Sequence, residues 1–190
     1  MFRDYDRKGR RTKVLTCAFP GYTVLTMIAV FAGTFDPPTS GHTDIILRAS
    51  SMFTELRVVI ARNFQKQPLF TVEERADMLR GLVAEAGLTN VVIDSWEGLI
   101  SEYAKKHHCG ILLRSIRNMS EVPYEQMMAT FNQRLEKNLE TLFMFASPEF
   151  VDVSSSAVRE LLVWKKLPRG IVPNLVQKEL EKRFGPLLQD

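Results

Sequence analysis

Cysteine, long apolar runs and the common phosphate-loop signatures are all scarce or missing in this chain. Two cysteines in 190 residues, Cys17 and Cys109, cannot build a disulfide framework. They fit a reducing compartment, and the cytoplasm is the expected location. No stretch is apolar enough for long enough to span a bilayer. Neither GxxxxGK[ST] nor GxGxxG occurs, which excludes a P-loop and a dinucleotide fingerprint. Histidine is rare too. The adjacent pair His107-His108 beside Cys109 has no second ligand pair at zinc spacing, and neighbours on a helix point apart. These three read as structural or solvated, and no protein-held metal site is expected. Trp96 and Trp164 read as core or interface residues. No Ser-His-Asp, Cys-His or paired-carboxylate set is present to act as a general base.

An excess of one charge is also absent from most of the chain. The formal charge is +3, but residues 1–13 carry six Lys/Arg against two Asp. The remainder holds 19 basic and 20 acidic residues and is nearly neutral. No nucleic-acid surface follows from the overall charge, and no membrane partner either. In Val14–Thr26, Pro20, Gly21 and several threonines dilute the apolar character, and no small-residue cleavage site follows. Residues 1–26 therefore read as a disordered extension, with Met27 the natural start of a single domain over 27–190. A composition of 45% hydrophobic and 25% charged residues suits a globular domain with one core.

What is present is an alternation of short apolar runs and amphipathic stretches. Ile28–Phe31 reads as a buried strand bounded by Gly33. Asp36-Pro37-Pro38 interrupts regular structure. From Thr43 a helix places Ile45, Ile46, Ala49, Met52 and Phe53 on one stripe. Leu56–Ala61 is a second strand. Thr71 and Glu74 form a capping box for a helix with Met78, Leu79, Leu82, Val83 and Ala86 inward, ended by Gly87. Asn90–Ile93 is a third strand. Glu97–His108 is a helix with Leu99, Ile100, Tyr103 and Ala104 inward, stopped by Gly110. Ile111–Leu113 is a fourth strand delivering Arg114, and Ser115–Glu121 is a loop. A helix follows from Pro123 to about Lys137. Thr141–Ala146 is a fifth strand, and Ser154-Ser155-Ser156 opens a helix with Val158, Leu161 and Leu162 inward. Pro173 starts a last helix that ends near Phe184. This order predicts an α/β domain: a five-stranded parallel sheet of near-continuous apolar strands, covered on both faces.

Such a sheet binds ligands beyond the carboxyl ends of its strands. Thr34 follows the first strand, Arg62 and Lys66 the second, Arg114 and Arg117 the fourth, and the three serines the fifth. Thr39-Ser40-Gly41-His42 opens the first helix, where unpaired N–H groups and the helix dipole favour an anion. Cations and a second helix N-terminus reach the same edge, so several phosphates could be held there together.

The string GTFDPPTSGH, from Gly33 to His42, is similar to that of the phosphopantetheine adenylyltransferase family. Its TSGH resembles the TxGH form of the HxGH signature of the nucleotidylyltransferase superfamily. Arg114-Ser115-Ile116-Arg117 stands where that family has R-G-x-R, with Ser115 replacing its glycine. Ser154-Ser155-Ser156-Ala157-Val158-Arg159 resembles its ISS[ST]xxR/K segment. The matches run in order from Ile28 to about Arg159.

The resemblance implies a Rossmann-like doubly wound fold with a C-terminal helix, and a definite reaction. An adenylyl group passes reversibly from ATP to 4′-phosphopantetheine, giving dephospho-coenzyme A and pyrophosphate. His42, Lys66 and Arg114 are its implied catalytic residues. Thr34, Lys66, Ile100 and Arg114 are its implied acceptor contacts. Thr34, Phe35, His42, Ser115, Ile116, Arg117, Glu125, Phe150, Val151, Asp152, Val153, Ser154, Ser155 and Ser156 are its implied ATP contacts. Mg²⁺ held mainly by phosphates and a homohexamer complete the expectation. The rival readings are transfer of an adenylyl or cytidylyl group to another acceptor, such as nicotinate mononucleotide, and a catalytically silent nucleotide-binding module.

Overall fold

The computed structural model describes residues 27–61 and 67–187. The expected extension over residues 1–26 lies outside the described residues, as do Arg62 and Lys66. Five parallel strands make one sheet: β1 (Ile28–Gly33), β2 (Glu55–Ala61), β3 (Val91–Trp96), β4 (Ile111–Ile116) and β5 (Glu140–Phe145). Their order is β3-β2-β1-β4-β5. The chain steps outward from β1 to β3 and then returns to the other edge of β1. The topological switch point therefore falls between β1 and β4, where Val30 pairs with Leu112.

The strand side chains alternate as a doubly covered sheet requires. Ala29, Phe31, Leu56, Val58, Ile60 and Leu113 point into one core with Ile45, Ile46 and Ala49 of α1 (Ser40–Ser50) and Leu79 of α2 (Val72–Glu85). Val30, Ala32, Val59 and Leu112 point the other way, against Tyr103 and Ala104 of α3 (Ile100–Lys106). The remaining helices are α4 (Val122–Leu135), α5 (Ser155–Val163) and α6 (Asn174–Phe184). A third cluster binds α5 and α6 to α2 through Val158, Leu162, Val176, Leu180, Met78 and Leu82.

Several boundaries move from their sequence expectations, each for a local reason. α1 begins before Thr43, because Thr39 is its N-cap and accepts from the His42 N–H. It ends at Ser50, so Met52 is exposed, while Phe53 is buried beyond the helix. Ala86 is the exposed C-cap of α2, and Gly87 follows in the left-handed region at φ 65°. α3 is shorter than Glu97–His108. Leu99 is its exposed N-cap, and His108 at φ 55° turns the chain out of the helix before Gly110. β4 continues through Ile116, so Arg114 and Ser115 sit in the strand, paired with Phe143 and Met144 of β5. Full cover fails at β5, an edge strand on which Phe143 and Phe145 are exposed.

One buried carboxylate joins three elements. After β1 the chain turns through a cis Asp36–Pro37 peptide. The Asp36 carboxylate accepts the N–H groups of Leu69 at 2.7 Å and Phe70 at 2.9 Å, just ahead of the Thr71 capping box of α2. It also takes Nη1 of Arg159, on α5, at 2.6 Å. Arg159 Nη2 in turn donates to the Gln67 carbonyl at 2.9 Å. A carboxylate with these partners cannot be removed without stranding buried donors. Asp36→Ala should lower the unfolding free energy by about 2–4 kcal/mol. Urea denaturation checks this, and a loss under about 1 kcal/mol would show that the junction is not needed for folding.

Candidate active site

The carboxyl ends of β1 and β4, the start of α1 and the start of α5 enclose a cavity of about 500 Å³. Each wall is held in place by a contact made outside it. On α1, Asp44 accepts from Ser147 through both its backbone N–H and its hydroxyl. Arg48, one turn on, bonds the Phe145 carbonyl at 2.8 Å. These two tie α1 to the exit of β5. Ser155 at the start of α5 donates its hydroxyl to the Pro37 carbonyl at 2.8 Å. The two helix N-termini therefore face one cavity across a short, braced gap.

His42 is the third residue of α1 and half-buried. Its Nδ1 accepts the Thr39 backbone N–H at 2.9 Å and lies 2.9 Å from the Thr39 hydroxyl. A ring nitrogen that accepts a backbone N–H carries no proton, so the neutral ring keeps its hydrogen on Nε2. Burial, then the positive charge of Arg117, lower its pKa from 6.5 to about 4. Phe35 supports the ring edge-on, with centroids 4.9 Å apart. Phe35 is itself fully buried and holds the left-handed region at φ 48°, a strained state for a bulky residue.

Among the described residues, the two arginines of the cavity wall are already paired. Arg114 presents Nε and Nη2 to the two oxygens of Glu125, each at 2.7 Å, and Nη1 to the Ala32 carbonyl at 3.2 Å. The Glu125 hydrogen bonds are the main reason that its pKa is raised further. Arg117 is clamped by Glu121 through its backbone N–H at 2.9 Å and through its guanidinium. Ser115 lies in the strand without a left-handed backbone, so replacing the family glycine requires no strained conformation here.

Fewer amides are free than the helix starts suggest. On α1 the Ser40 N–H goes to the Ile171 carbonyl and the His42 N–H to Thr39, which leaves Gly41. On α5 the Ser154 hydroxyl caps Ala157 N–H at 3.0 Å. The N–H groups of Ser155 and Ser156 remain without an intrahelical acceptor.

Of the residues expected at the site, Thr34, Phe35, His42, Arg114, Ser115, Arg117, Glu125, Phe150, Val153, Ser154, Ser155 and Ser156 line this cavity. Ile116 does not: its side chain is buried in the sheet and its carbonyl accepts from Ala146. Val151 and Asp152 are exposed outside it. Ile100 lines a neighbouring cavity of about 200 Å³ with Leu112, Met128, Asn132 and Thr141. Arg114, Tyr124 and Glu125 border both cavities. His107 stacks on Tyr103 at 4.2 Å, and burial raises the Cys109 thiol to about 11, far from any role as a nucleophile. Sequence reading missed buried Arg75, which donates to the Thr34 carbonyl at 2.7 Å. Its signal was a charge placed on the apolar stripe of α2, one turn before Met78 and Leu79.

A family model described as cytidylyltransferase-like matches residues 30–161. A phosphopantetheine adenylyltransferase from Carboxydothermus hydrogenoformans is 43% identical over 157 residues, covering 83% of this chain and 96% of that protein. One from Bdellovibrio bacteriovorus is 40% identical over 160 residues, covering 84% and 99%. In fold the chain resembles a Vibrio parahaemolyticus crystal structure provisionally named a nicotinate-nucleotide adenylyltransferase. The TM-score is 0.59 at 15% identity, over 87% of this chain and 99% of that one.

The His42 environment makes a pH prediction for the ligand-free protein. Its folded pKa lies below the unfolded value of about 6.5. The unfolded chain thus takes up a proton that the folded ring refuses. This contribution to stability is full above pH 6.5 and is lost as the pH falls towards 4. In ¹⁵N NMR, Nδ1 should stay unprotonated and Nε2 protonated down to about pH 5. A midpoint near 6.5, or a hydrogen on Nδ1, would contradict the geometry.

Proposed function

The chain belongs to the phosphopantetheine adenylyltransferase family, and we propose that its larger cavity binds ATP while the smaller one takes the arm of 4′-phosphopantetheine. The reaction is adenylyl transfer, a step of coenzyme A biosynthesis. A phosphate oxygen of the acceptor attacks the α-phosphorus of ATP in line. The bond from that phosphorus to the bridging oxygen breaks, and pyrophosphate leaves with the electron pair. Dephospho-coenzyme A is the other product. The nucleophile is already an anion at neutral pH, so no proton need be removed, and catalysis rests on positioning and charge stabilisation.

The observation that carries this reading is the fixed tautomer of His42. Its neutral Nε2–H is the ring donor left for a ligand, because Nδ1 is occupied by Thr39. A donor held in advance can stabilise charge growing on an α-phosphate oxygen without reorganising. Arg114 then directs its remaining N–H groups at the acceptor phosphate, and the Ser155 and Ser156 amides hold the departing pyrophosphate. Thr34, whose carbonyl is pinned by Arg75, orients the acceptor. Lys66 is the cation that family membership adds at the reacting phosphates.

The carboxylates on the cavity wall, Glu121 and Glu125, are each engaged by an arginine. Among the described residues no three His, Cys, Asp or Glu side chains converge on a common point. Mg²⁺, which keeps most of its water and binds through substrate phosphates in such sites, would be held by the triphosphate and water and would supply charge neutralisation there. No described helix is long and apolar enough to cross a membrane. On the separate ground that the chain has only two cysteines, which suits a reducing compartment, we propose the cytoplasm. We also propose a homohexamer. Tyr124, Met127, Phe131 and Leu135 form one exposed apolar stripe along α4, beside the exposed Phe143 and Phe145 of β5, and a face of this kind suits burial between copies. Sedimentation should give a sixfold mass, and a monomer at micromolar concentration would refute the assembly.

Purified protein given ATP, Mg²⁺ and 4′-phosphopantetheine should release pyrophosphate and form dephospho-coenzyme A. Nicotinate mononucleotide in place of the acceptor should give none, and a preference for it would overturn the substrate. His42→Ala should lower kcat by roughly 10²–10³-fold, with a much smaller effect on ATP affinity. Undiminished turnover would remove His42 from the mechanism.

A further inference from the structure

We propose that Arg75 is a positioning residue for the transfer step: from behind the cavity it fixes the Thr34 carbonyl, and through Thr34 the alignment of the two reacting phosphates. This role rests on the adenylyl-transfer reading and adds a residue to it. Arg75 lies on α2, one turn before Met78 and Leu79, and is only 4% exposed. α2 packs over β2 and β3, whereas the cavity opens between β1 and β4, and Arg75 is not part of its wall. Its Nε donates to the Thr71 carbonyl at 3.1 Å and its Nη1 to the Thr34 carbonyl at 2.7 Å. Both acceptors are neutral. Among the described residues no carboxylate is in ion-pair contact with it, and the nearby Asp36 is taken by Arg159. Arg114 and Arg117, by contrast, each have a glutamate. Burial lowers the Arg75 pKa, outweighing the pull of Asp36 and Glu73. An apolar side chain in this stripe would carry no such penalty, so stability alone does not account for an arginine here.

What the arginine holds accounts for it. The ladder of β1 with β2 ends where Gly33 pairs with Ile60. The Thr34 carbonyl comes next, and Arg75 is its donor. The peptide unit from Thr34 to Phe35 is planar, so fixing its oxygen fixes the whole plane. That plane is set by ψ of Thr34 and φ of Phe35. The φ of Phe35 is 48°, a state that a bulky residue keeps only where its surroundings impose it, and the Arg75 bond is one of the constraints that do. Thr34 itself is half-buried on the cavity wall, and among the described residues its hydroxyl has no hydrogen-bond partner. Family membership implies it as a contact of both ATP and the acceptor. A shift at Thr34 therefore disturbs the approach of one phosphate to the other more than the binding of either substrate. Reacting atoms must be held about 3–3.5 Å apart, and a displacement of about 1 Å can cost roughly 10²-fold in rate.

The test compares the wild type with Arg75→Met, Arg75→Lys, Thr34→Val and the double variant Thr34→Val/Arg75→Met. Turnover is taken per ATP-binding site, with the sites counted by calorimetry, so that loss of folded protein does not enter. Arg75→Met keeps the apolar stem and removes the donors. It should lower kcat roughly tenfold and leave KM for ATP and for 4′-phosphopantetheine within about threefold. Arg75→Lys can still reach the Thr34 carbonyl and should recover kcat to within about threefold of the wild type. The double variant should be no worse than the weaker single variant, because a residue acting through another adds little once that other is gone. An unchanged kcat per site in Arg75→Met, or losses that multiply in the double variant, would overturn the proposal. Should Arg75→Met fail to fold by circular dichroism, Arg75→Gln, which is too short to reach that carbonyl, is carried through the same cycle and judged in the same way. A wild type that forms no dephospho-coenzyme A would refute the reaction instead. Amide hydrogen exchange over residues 33–36 would still speak for Arg75: it should quicken in Arg75→Met, and no change there would overturn the positioning role by itself.

Discussion

The carboxylate of Asp36 is the point at which the parts of this molecule become a site. It gathers the exit of β1, the approach to α2 and the first turns of α5 into one cluster through two backbone N–H groups and one guanidinium. Apolar packing joins two of these segments beside it, where Phe70 meets Val158 and Leu162 of α5, and the carboxylate adds the polar link to β1. Remove the acceptor and the buried Phe70 amide is left without a partner, while the half-buried Leu69 amide and Arg159 lose theirs, a larger loss than any single van der Waals contact there. The same cluster sets the distance between α1 and α5, because Ser155 bonds the carbonyl of the very next residue, Pro37. A phosphate chain long enough to touch both helix starts is thus met by a frame of fixed width.

Within that frame the polar groups are committed before any ligand arrives. Thr39 sets the tautomer of His42, Phe35 supports the ring, Glu125 sets the plane of Arg114, and Arg75 holds the Thr34 carbonyl. Each arrangement was made during folding, so none of its ordering is left for the reaction step. Burial pushes His42 towards the neutral form and Glu125 neutralises Arg114. The site therefore presents directed N–H groups more than bare charge. That suits a reaction in which negative charge moves between phosphates without a proton leaving the nucleophile.

Much of this was legible in the residues. The alternation of runs pointed to five strands of a parallel sheet, though not to their order across it, the Thr71–Glu74 box appeared as read, and the TSGH segment lies on the cavity. The reading failed where local pattern competes with long-range pairing. β4 ends its apolar run at Leu113, yet its ladder with β5 carries it through Arg114, Ser115 and Ile116. Ile116 is then buried although Ser115 and Arg117 on either side line the site, because alternation along a strand sends it to the opposite face from them. Glu125 could be placed on a helix facing the site, but not opposite Arg114, since nothing in sequence measures a distance across eleven residues and a turn. Asp36, followed by two prolines, reads as a simple turn residue, and its three partners lie more than thirty positions away.

Pairing the arginines in advance raises the question of why an anion site would neutralise its own cations. An unpaired guanidinium in the half-buried wall would carry a desolvation penalty in the empty protein and would attract any stray anion. A paired one keeps its orientation and still offers hydrogens on the side away from its partner. The two pairs here differ in this respect. Glu121 holds Arg117 across a single local turn, and both members are partly open to solvent. Glu125 holds Arg114 between a strand and a helix, with the carboxylate nearly covered. The first pair can rearrange by side-chain rotation alone, so it is suited to follow a ligand that moves. The second joins a strand to a helix with its carboxylate nearly covered, so it is suited to define where a ligand must stop. A site that must bring one phosphate into line with another needs one group of each kind.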